Sequence, residues 1–417
     1  MKEKNNNKRQ TGLKVIFRSL RYRNYRLFFI GQTISLVGTW IQRIATPWLV
    51  YRLSKSALLL GVVGFSSQLP NFLLTPFAGV WVDRLNRHKI LVATQIFAML
   101  QALSLAVLFF TGALKIWHIV VLGIFLGCID AFDMPTRQSF VVDIIDNKED
   151  LSNAIALNSL MVNAARLVGP TVAGVLVASF GEGMCFLVNG LSYIFVIISL
   201  LMMNVVQKNN VVQNNKIFYD LKEGFRYTFR VLAIKYVILL LALVSLMGMS
   251  YALIMPVFVK EILNGGSDAF GFLMCASGIG ALFGAVYLAS KKDSSGLIKI
   301  IPLSAFVFGF ALIMFSFSRK FFICLMLMIL IGFFMILQIA SSNTVLQTLV
   351  EDDKRGRVMS FYTMAFIGTA PFGSLLAGFL TNKLGAQNAF IICGLSCILG
   401  AIIFLNKLSE LKKCFIK

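Results

Sequence analysis

Cys185-Phe186-Leu187-Val188-Asn189-Gly190-Leu191-Ser192 is matched, 204 residues further on, by Ala389-Phe390-Ile391-Ile392-Cys393-Gly394-Leu395-Ser396. Gly169, Gly174 and Gly181 recur at the same offset as Gly373, Gly378 and Gly385. Nearer the front of each half, Pro47 answers to Pro256 and Gln138 to Gln347 at an offset of 209, so five residues are absorbed in between. A chain that repeats once, in segments apolar from end to end, predicts two similar helical bundles. They would be related by an axis along the membrane normal, with a cavity where they face each other.

The composition fits that reading. Of 417 residues, 58% are hydrophobic and 14% charged, and the mean hydropathy is +0.81. A soluble domain carries about a quarter charged residues, so the chain reads as an integral membrane protein. With about 20 apolar residues per span, twelve helices are predicted, over 27–51, 58–82, 89–111, 116–138, 153–179, 184–206, 233–259, 269–290, 297–318, 321–349, 358–381 and 386–406. The expected fold is therefore all-α, with twelve transmembrane helices in two pseudo-symmetric six-helix bundles. Its parts are a basic N-terminus (1–26), an N-terminal bundle (27–206), a central loop with an amphipathic helix (207–232), a C-terminal bundle (233–406) and a basic tail (407–417).

The net charge of +21 would point to nucleic acid in a soluble chain. Here it follows the membrane instead. With the N-terminus inside, the inner segments hold 30 Lys and Arg and the outer loops 7, while Arg43 and Arg166 lie within spans. That bias predicts both termini in the cytoplasm and no nucleic-acid partner. Ile217, Leu221, Phe225 and Phe229 form one face of a helix whose other face is basic, which suits lying on an anionic lipid surface; Leu13 to Arg23 has a similar mixture. The apolar run after the basic N-terminus is too long for a cleavable leader and lacks a small-residue cleavage site. The seven Cys form neither a disulfide framework nor a zinc pattern, and His88 and His118 are the only histidines. With no phosphate-binding loop and no nucleophile–base set, neither a metal, a cofactor nor an enzymatic activity is expected.

Ionisable groups inside a bilayer are costly and therefore informative. Asp130 and Asp133 fall within the fourth predicted helix, and Arg166 lies near the middle of the fifth. An Arg166–Asp130 pair is expected, either as a static brace between the two helices or as part of the working site. Arg43, beside Gln42 in the first helix, either lines the cavity or snorkels outward. Arg137 is placed four residues after Asp133, as an interface cation near the inner end.

Gly79-Val-Trp-Val-Asp83-Arg84-Leu-Asn86-Arg87-His88-Lys89, at the end of the second helix, resembles the signature of the major facilitator superfamily. Asn86 stands where that signature has a second glycine, and is expected to take the left-handed turn in its place. Gly169-Pro170-Thr-Val-Ala173-Gly174 is similar to the superfamily's antiporter motif, with Ala173 for one Gly. Arg23-Asn-Tyr25-Arg26, Gly38-Thr-Trp40-Ile-Gln42, Phe132-Asp133-Met-Pro135-Thr-Arg137-Gln138 and Arg355-Gly356-Arg357 resemble the 12-span drug:proton antiporter group, which includes siderophore exporters and macrolide efflux pumps.

The resemblance implies a monomeric secondary exporter of the bacterial cytoplasmic membrane, working by alternating access and proton antiport. On this reading Gly79, Asp83, Arg84, Arg87 and Arg137 form a conformational latch. Gly169, Pro170 and Gly174 kink and pack the fifth helix. Asp130, or else Asp133, takes the proton, which frees Arg166 to meet an anion. Arg43, Arg166 and Gln42 are the candidates for substrate contact, and two buried arginines favour a polyanionic siderophore, hence a part in iron supply. Efflux of macrolides or other drugs is the alternative, with a lipid flippase or a transport-dead scaffold behind it.

Overall fold

The computed structural model describes residues 17–145, 147–205, 226–291, 296–350 and 352–412, and among these the chain is helical with no strand. After a 3-10 turn at Arg18–Arg21 come α1 (Arg23–Ser54), α2 (Ala57–Arg84), α3 (Arg87–Phe110), α4 (Ile116–Asp143), α5 (Lys148–Phe180) and α6 (Glu182–Leu201). The second half contains α7 (Leu232–Glu261, with a π-helical turn at Val244–Gly248), α8 (Ser267–Ala289), α9 (Leu297–Phe317) and α10 (Phe321–Leu349). It ends in α11, which runs Asp352–Thr363, a π-helical turn Met364–Gly368, and Ala370–Lys412. Among the described residues, ten helices are long and apolar enough to cross a membrane, with Lys354–Leu408 counted once. The amphipathic positions Leu13, Ile217, Leu221 and Phe225 lie outside the described residues.

The turns follow from local chemistry. Lys55 closes α1 in the left-handed region at φ 53°, and Ser56 caps α2 by accepting from the Leu59 amide at 3.3 Å. Asn86 corrects the sequence expectation. It is extended, at φ −72° and ψ 106°, and its side-chain oxygen accepts from the Lys89 amide at 3.1 Å. Asn suits the left-handed turn and the helix N-cap equally well on paper. The helix that begins at once with Arg87 needs its orphan amides satisfied, so the cap wins.

The repeat is visible in the backbone. Gly181 (φ 81°, ψ 170°) breaks α5 from α6, and its counterpart Gly385 (φ 82°, ψ 160°) breaks α11 in the same conformation. A side chain would be strained at either position. Gly174 lies against Gly271 of α8, where an added Cβ would sit 3.0 Å from the Gly271 Cα. Its counterpart Gly378 lies against Gly61 of α2, where the added Cβ would be 2.6 Å from the Gly61 Cα. The two halves therefore meet through a pair of repeat-related contacts, backbone on backbone, which only small residues permit.

These contacts favour one end. In α2 they run from Ala57 to Phe72, and in α5 from Arg166 to Gly174, the parts of both helices nearest the Ser54–Ala57 turn. At that end Trp48 stacks on Phe270 with centroids 5.8 Å apart, and the Tyr51 hydroxyl bonds the Glu261 carboxylate. Arg52 pairs with the buried Glu182 at 2.8 Å, anchoring the same turn of α1 to α6. At the opposite end, within the first half, Arg18, Arg21 and Tyr22 converge on the Asp150 carboxylate and clasp the start of α1 to the start of α5.

Gly271 tests the role of this joint. Its added Cβ would lie 2.6 Å from the Pro170 carbonyl oxygen and 2.7 Å from the Gly174 Cα, neither of which has a rotamer to change. Overpacking of this kind costs about 1–3 kcal/mol, or roughly 5- to 150-fold in an equilibrium. Gly271→Val is thus expected to part the halves at the Ser54–Ala57 end. Thiol labelling of Leu60→Cys from that end, in a background without other cysteines, should rise accordingly; unchanged labelling would refute it.

Candidate substrate cavity

A cavity of about 530 Å³ lies between the halves, bordered by α1 to α6 on one side and by α7, α8, α10 and α11 on the other. Its most distinctive feature is Trp40, which sits there because α5 presents no side chain at Gly169. A Cβ at that position would be 2.4 Å from the Trp40 Cβ. Arg43, one turn further along α1, carries its guanidinium 5.2 Å from the Trp40 ring centroid, and Arg166 of α5 comes to 5.8 Å. Both arginines line the cavity. Among the described residues neither has a carboxylate within 4.0 Å. The ring offers each a cation–π contact, which steadies the cation without neutralising it.

This arrangement departs from the expected Arg166–Asp130 pair. Asp130 also faces the cavity, yet the arginine whose charge acts on it most is Arg43, with Arg137 after it and Arg166 not among them. The cause is the close seat of α5 on Trp40, which draws Arg166 over the ring instead of down toward α4. Of the two alternatives for Arg43, the structure takes the cavity-lining one.

Asp133 is differently placed. It is buried on the α3 side, where its Oδ1 accepts from Thr94 Oγ1 at 3.0 Å and Gln95 Nε2 at 2.6 Å, and its Oδ2 lies 3.9 Å from Arg137 Nε. A carboxylate with two donors and a nearby guanidinium is satisfied where it stands. Gln42 is likewise engaged, donating to Gln101 Oε1 at 3.0 Å and accepting from Asn189 Nδ2 at 2.8 Å. It ties α1 to α3 and α6 and so holds the cavity wall.

Of the latch set, Gly79, Asp83 and Arg84 have side positions outside the described residues. Arg87 donates from Nη1 to both oxygens of Asp143, at 2.9 and 3.2 Å, which joins the start of α3 to the end of α4. Asp143 was not singled out by the sequence, and neither were Trp40 as a cavity residue or Tyr193, whose hydroxyl lies 3.3 Å from Thr39 Oγ1. The signal for Trp40 was its place three residues before Arg43, the spacing at which helix neighbours meet. Pro170 lines the cavity. No cluster of His, Cys, Asp and Glu able to hold a metal occurs among the described residues.

A family model described as transmembrane secretion effector matches residues 15–414. The staphyloferrin A transporter of Staphylococcus aureus (strain NCTC 8325 / PS 47) is 28% identical over 392 residues, covering 93% of this chain and 97% of that one. The multidrug efflux pump Tap of Mycolicibacterium fortuitum is 24% identical over 386 residues, 90% and 93% of the two chains. Among solved structures, a bacterial homolog of the human lysosomal transporter Spinster, inward-facing and unoccupied, superposes with a TM-score of 0.72 at 12% identity, covering 94% of this chain and 97% of that one.

Proposed function

Because the chain belongs to the transmembrane secretion effector family of the major facilitator superfamily, we propose that it exports a small anionic metabolite of the siderophore kind across the bacterial cytoplasmic membrane. The observation that carries this reading is the pair Arg43 and Arg166, held on Trp40 and turned to the cavity without a carboxylate partner among the described residues. Two guanidinium groups so placed suit a ligand with more than one carboxylate or similar anion, since each accepts such groups in forked geometry. The staphyloferrin A transporter among its relatives supports the same direction.

The protein works as a monomer with twelve spans, six in each of two bundles (27–206 and 233–406). Two features support that count. At 1.5 Å per residue a straight Lys354–Leu408 helix would be about 80 Å long against a hydrocarbon layer of about 30 Å, so its break at Gly385 turns the chain back. The 32-residue α1, with Arg43 and Gln42 inside it, completes the first six. With both termini cytoplasmic, the Ser54–Ala57 end is extracellular and the arrangement described is closed to the outside. The cycle rocks the two halves about the cavity. The proton motive force supplies the work, through its electrical part for an anion, and Asp130 is the group whose protonation tunes the hold on the ligand. Gly79, Asp83, Arg84, Arg87 and Arg137 form the cytoplasmic latch of this cycle.

Comparison of iron-starved cultures with and without the gene tests the proposal. Loss of an iron chelator from the medium, with its accumulation in the cells, is the expected result. Unchanged chelator together with raised sensitivity to macrolides or other drugs would replace it by the second reading, drug efflux. One observation favours that second reading: Asp130, the one carboxylate that lines the cavity among the described residues, is a natural partner for a cationic drug.

A further inference from the structure

The two walls of the cavity are chemically opposite, and the repeat shows how. At the offset of 209, Trp40 corresponds to Met249 and Arg43 to Ala252; at 204, Arg166 corresponds to Ala370. All six residues line the cavity. Wherever the first half supplies an indole or a guanidinium, the second supplies a methyl or a thioether. Leu253, Met274 and Met335 extend the same apolar wall.

The hydroxyls on that wall are each engaged with a protein partner. Ser245 donates to the Phe366 carbonyl at 2.5 Å and Ser250 to the Leu246 carbonyl at 2.9 Å. Tyr251 and Ser277 bond each other at 2.7 Å, and Ser374 accepts from Gln68 of the first half at 3.1 Å. A ligand studded with polar groups on all sides would meet its match on the arginine wall only. Against the other wall its polar groups would lose water and gain few partners, which is costly. Methionines at a binding surface adapt to apolar groups of varied shape.

Resting on the anionic-substrate reading above, we propose that the ligand is an amphiphilic anion: its acidic groups lie on Arg43 and Arg166, and an alkyl or aryl arm lies against Met249, Leu253 and Met274. The second half of the chain thereby selects for the arm while the first half selects for charge.

Two dianions of equal charge and different apolar content, succinate and 2-octylsuccinate, serve as probes. Their binding to the full chain in lipid nanodiscs is measured calorimetrically at a pH where both are fully ionised, with binding to empty nanodiscs subtracted. The octyl compound is expected to bind at least about tenfold more tightly, since each buried methylene contributes. Replacing Met249→Ser and Met274→Ser together should cut that advantage, the ratio of the two affinities, to under about threefold, and any measurable binding of succinate by the variant shows that it is folded. Arg166→Gln should weaken both probes. Equal affinities in the unmodified protein, or an octyl advantage that survives the two serines, would overturn the amphiphile proposal with the anionic reading intact. If neither dianion binds, the anionic reading itself falls.

Discussion

Arg43→Gln and Arg166→Gln are each expected to lower export by about one to two orders of magnitude, because a charge-assisted hydrogen bond is worth about 1.5–3 kcal/mol net. The two side chains share Trp40 and one ligand, so their effects are coupled and the double variant should export at background level. The loss should appear as a raised KM before a lowered maximal rate, since both arginines act on the ligand as it binds. Arg→Lys is a useful intermediate. It keeps the charge and loses the planar fork and its stacking on the ring, so it should recover only part of the loss. Initial rates of chelator efflux from preloaded cells measure all of this, with membrane levels of each variant as the control. A double Gln variant that exports at the normal rate would remove the arginines from the binding site.

The second large effect concerns Asp130, and its sign can be worked out from its neighbours. The charges that act on it are those of Arg43, Asp133 and Arg137, and Tyr193 lies within range of its own charge. Protonating Asp130 removes a negative charge from within electrostatic range of Arg43 and so strengthens the hold on an anion there. By reciprocity, an anion that binds there must strengthen the hold on the proton. Adding an anionic ligand to the purified protein in weakly buffered solution should therefore draw protons from the medium, and anion affinity should rise as the pH falls. Asp130→Asn should abolish both the proton uptake and the pH dependence while preserving tight binding. A cationic drug that met Asp130 directly would release a proton instead.

The sign matters for energetics. Exchange of proton for substrate requires that the two compete, which a cation does at Asp130 and an anion does not. For an anion, the electrical part of the proton motive force does the work: about 2.3 kcal/mol per charge per 100 mV, directed outward from a negative interior. Proton release on adding the anion would refute this account and restore strict antiport.

Much of this was legible in the sequence, for reasons that differ by residue. The helical repeat was readable because backbone geometry constrains it: only glycine is at ease where Gly181 and Gly385 sit, so both copies keep it. The closeness of α5 to its neighbours could be anticipated from Gly169 and Gly174 on the same grounds. Pairing of the buried charges could not. Whether Arg166 reaches toward Asp130 or over Trp40 depends on the rotation of α5 about its axis, and that is set by where Gly169 seats. Sequence spacing places a residue along a helix far better than around it when both faces are apolar. The separate fates of Asp130 and Asp133 were hidden for a similar reason, since Thr94 and Gln95, which satisfy Asp133, lie on a different helix. Asn86 shows a third limit: one side chain serves two local roles, and the sequence alone does not say which end of the turn governs.

The glycine joints at Gly61 with Gly378 and Gly174 with Gly271 also bear on the tempo of transport. A seam of side chains can loosen by degrees, one rotamer after another. Where main chain rests on main chain there is nothing to loosen first, so the two halves are either seated or apart. A joint of that kind favours long dwells in each arrangement with rapid passages between them. The machine then ticks more than it sways, and the rate of export is set by how often it ticks.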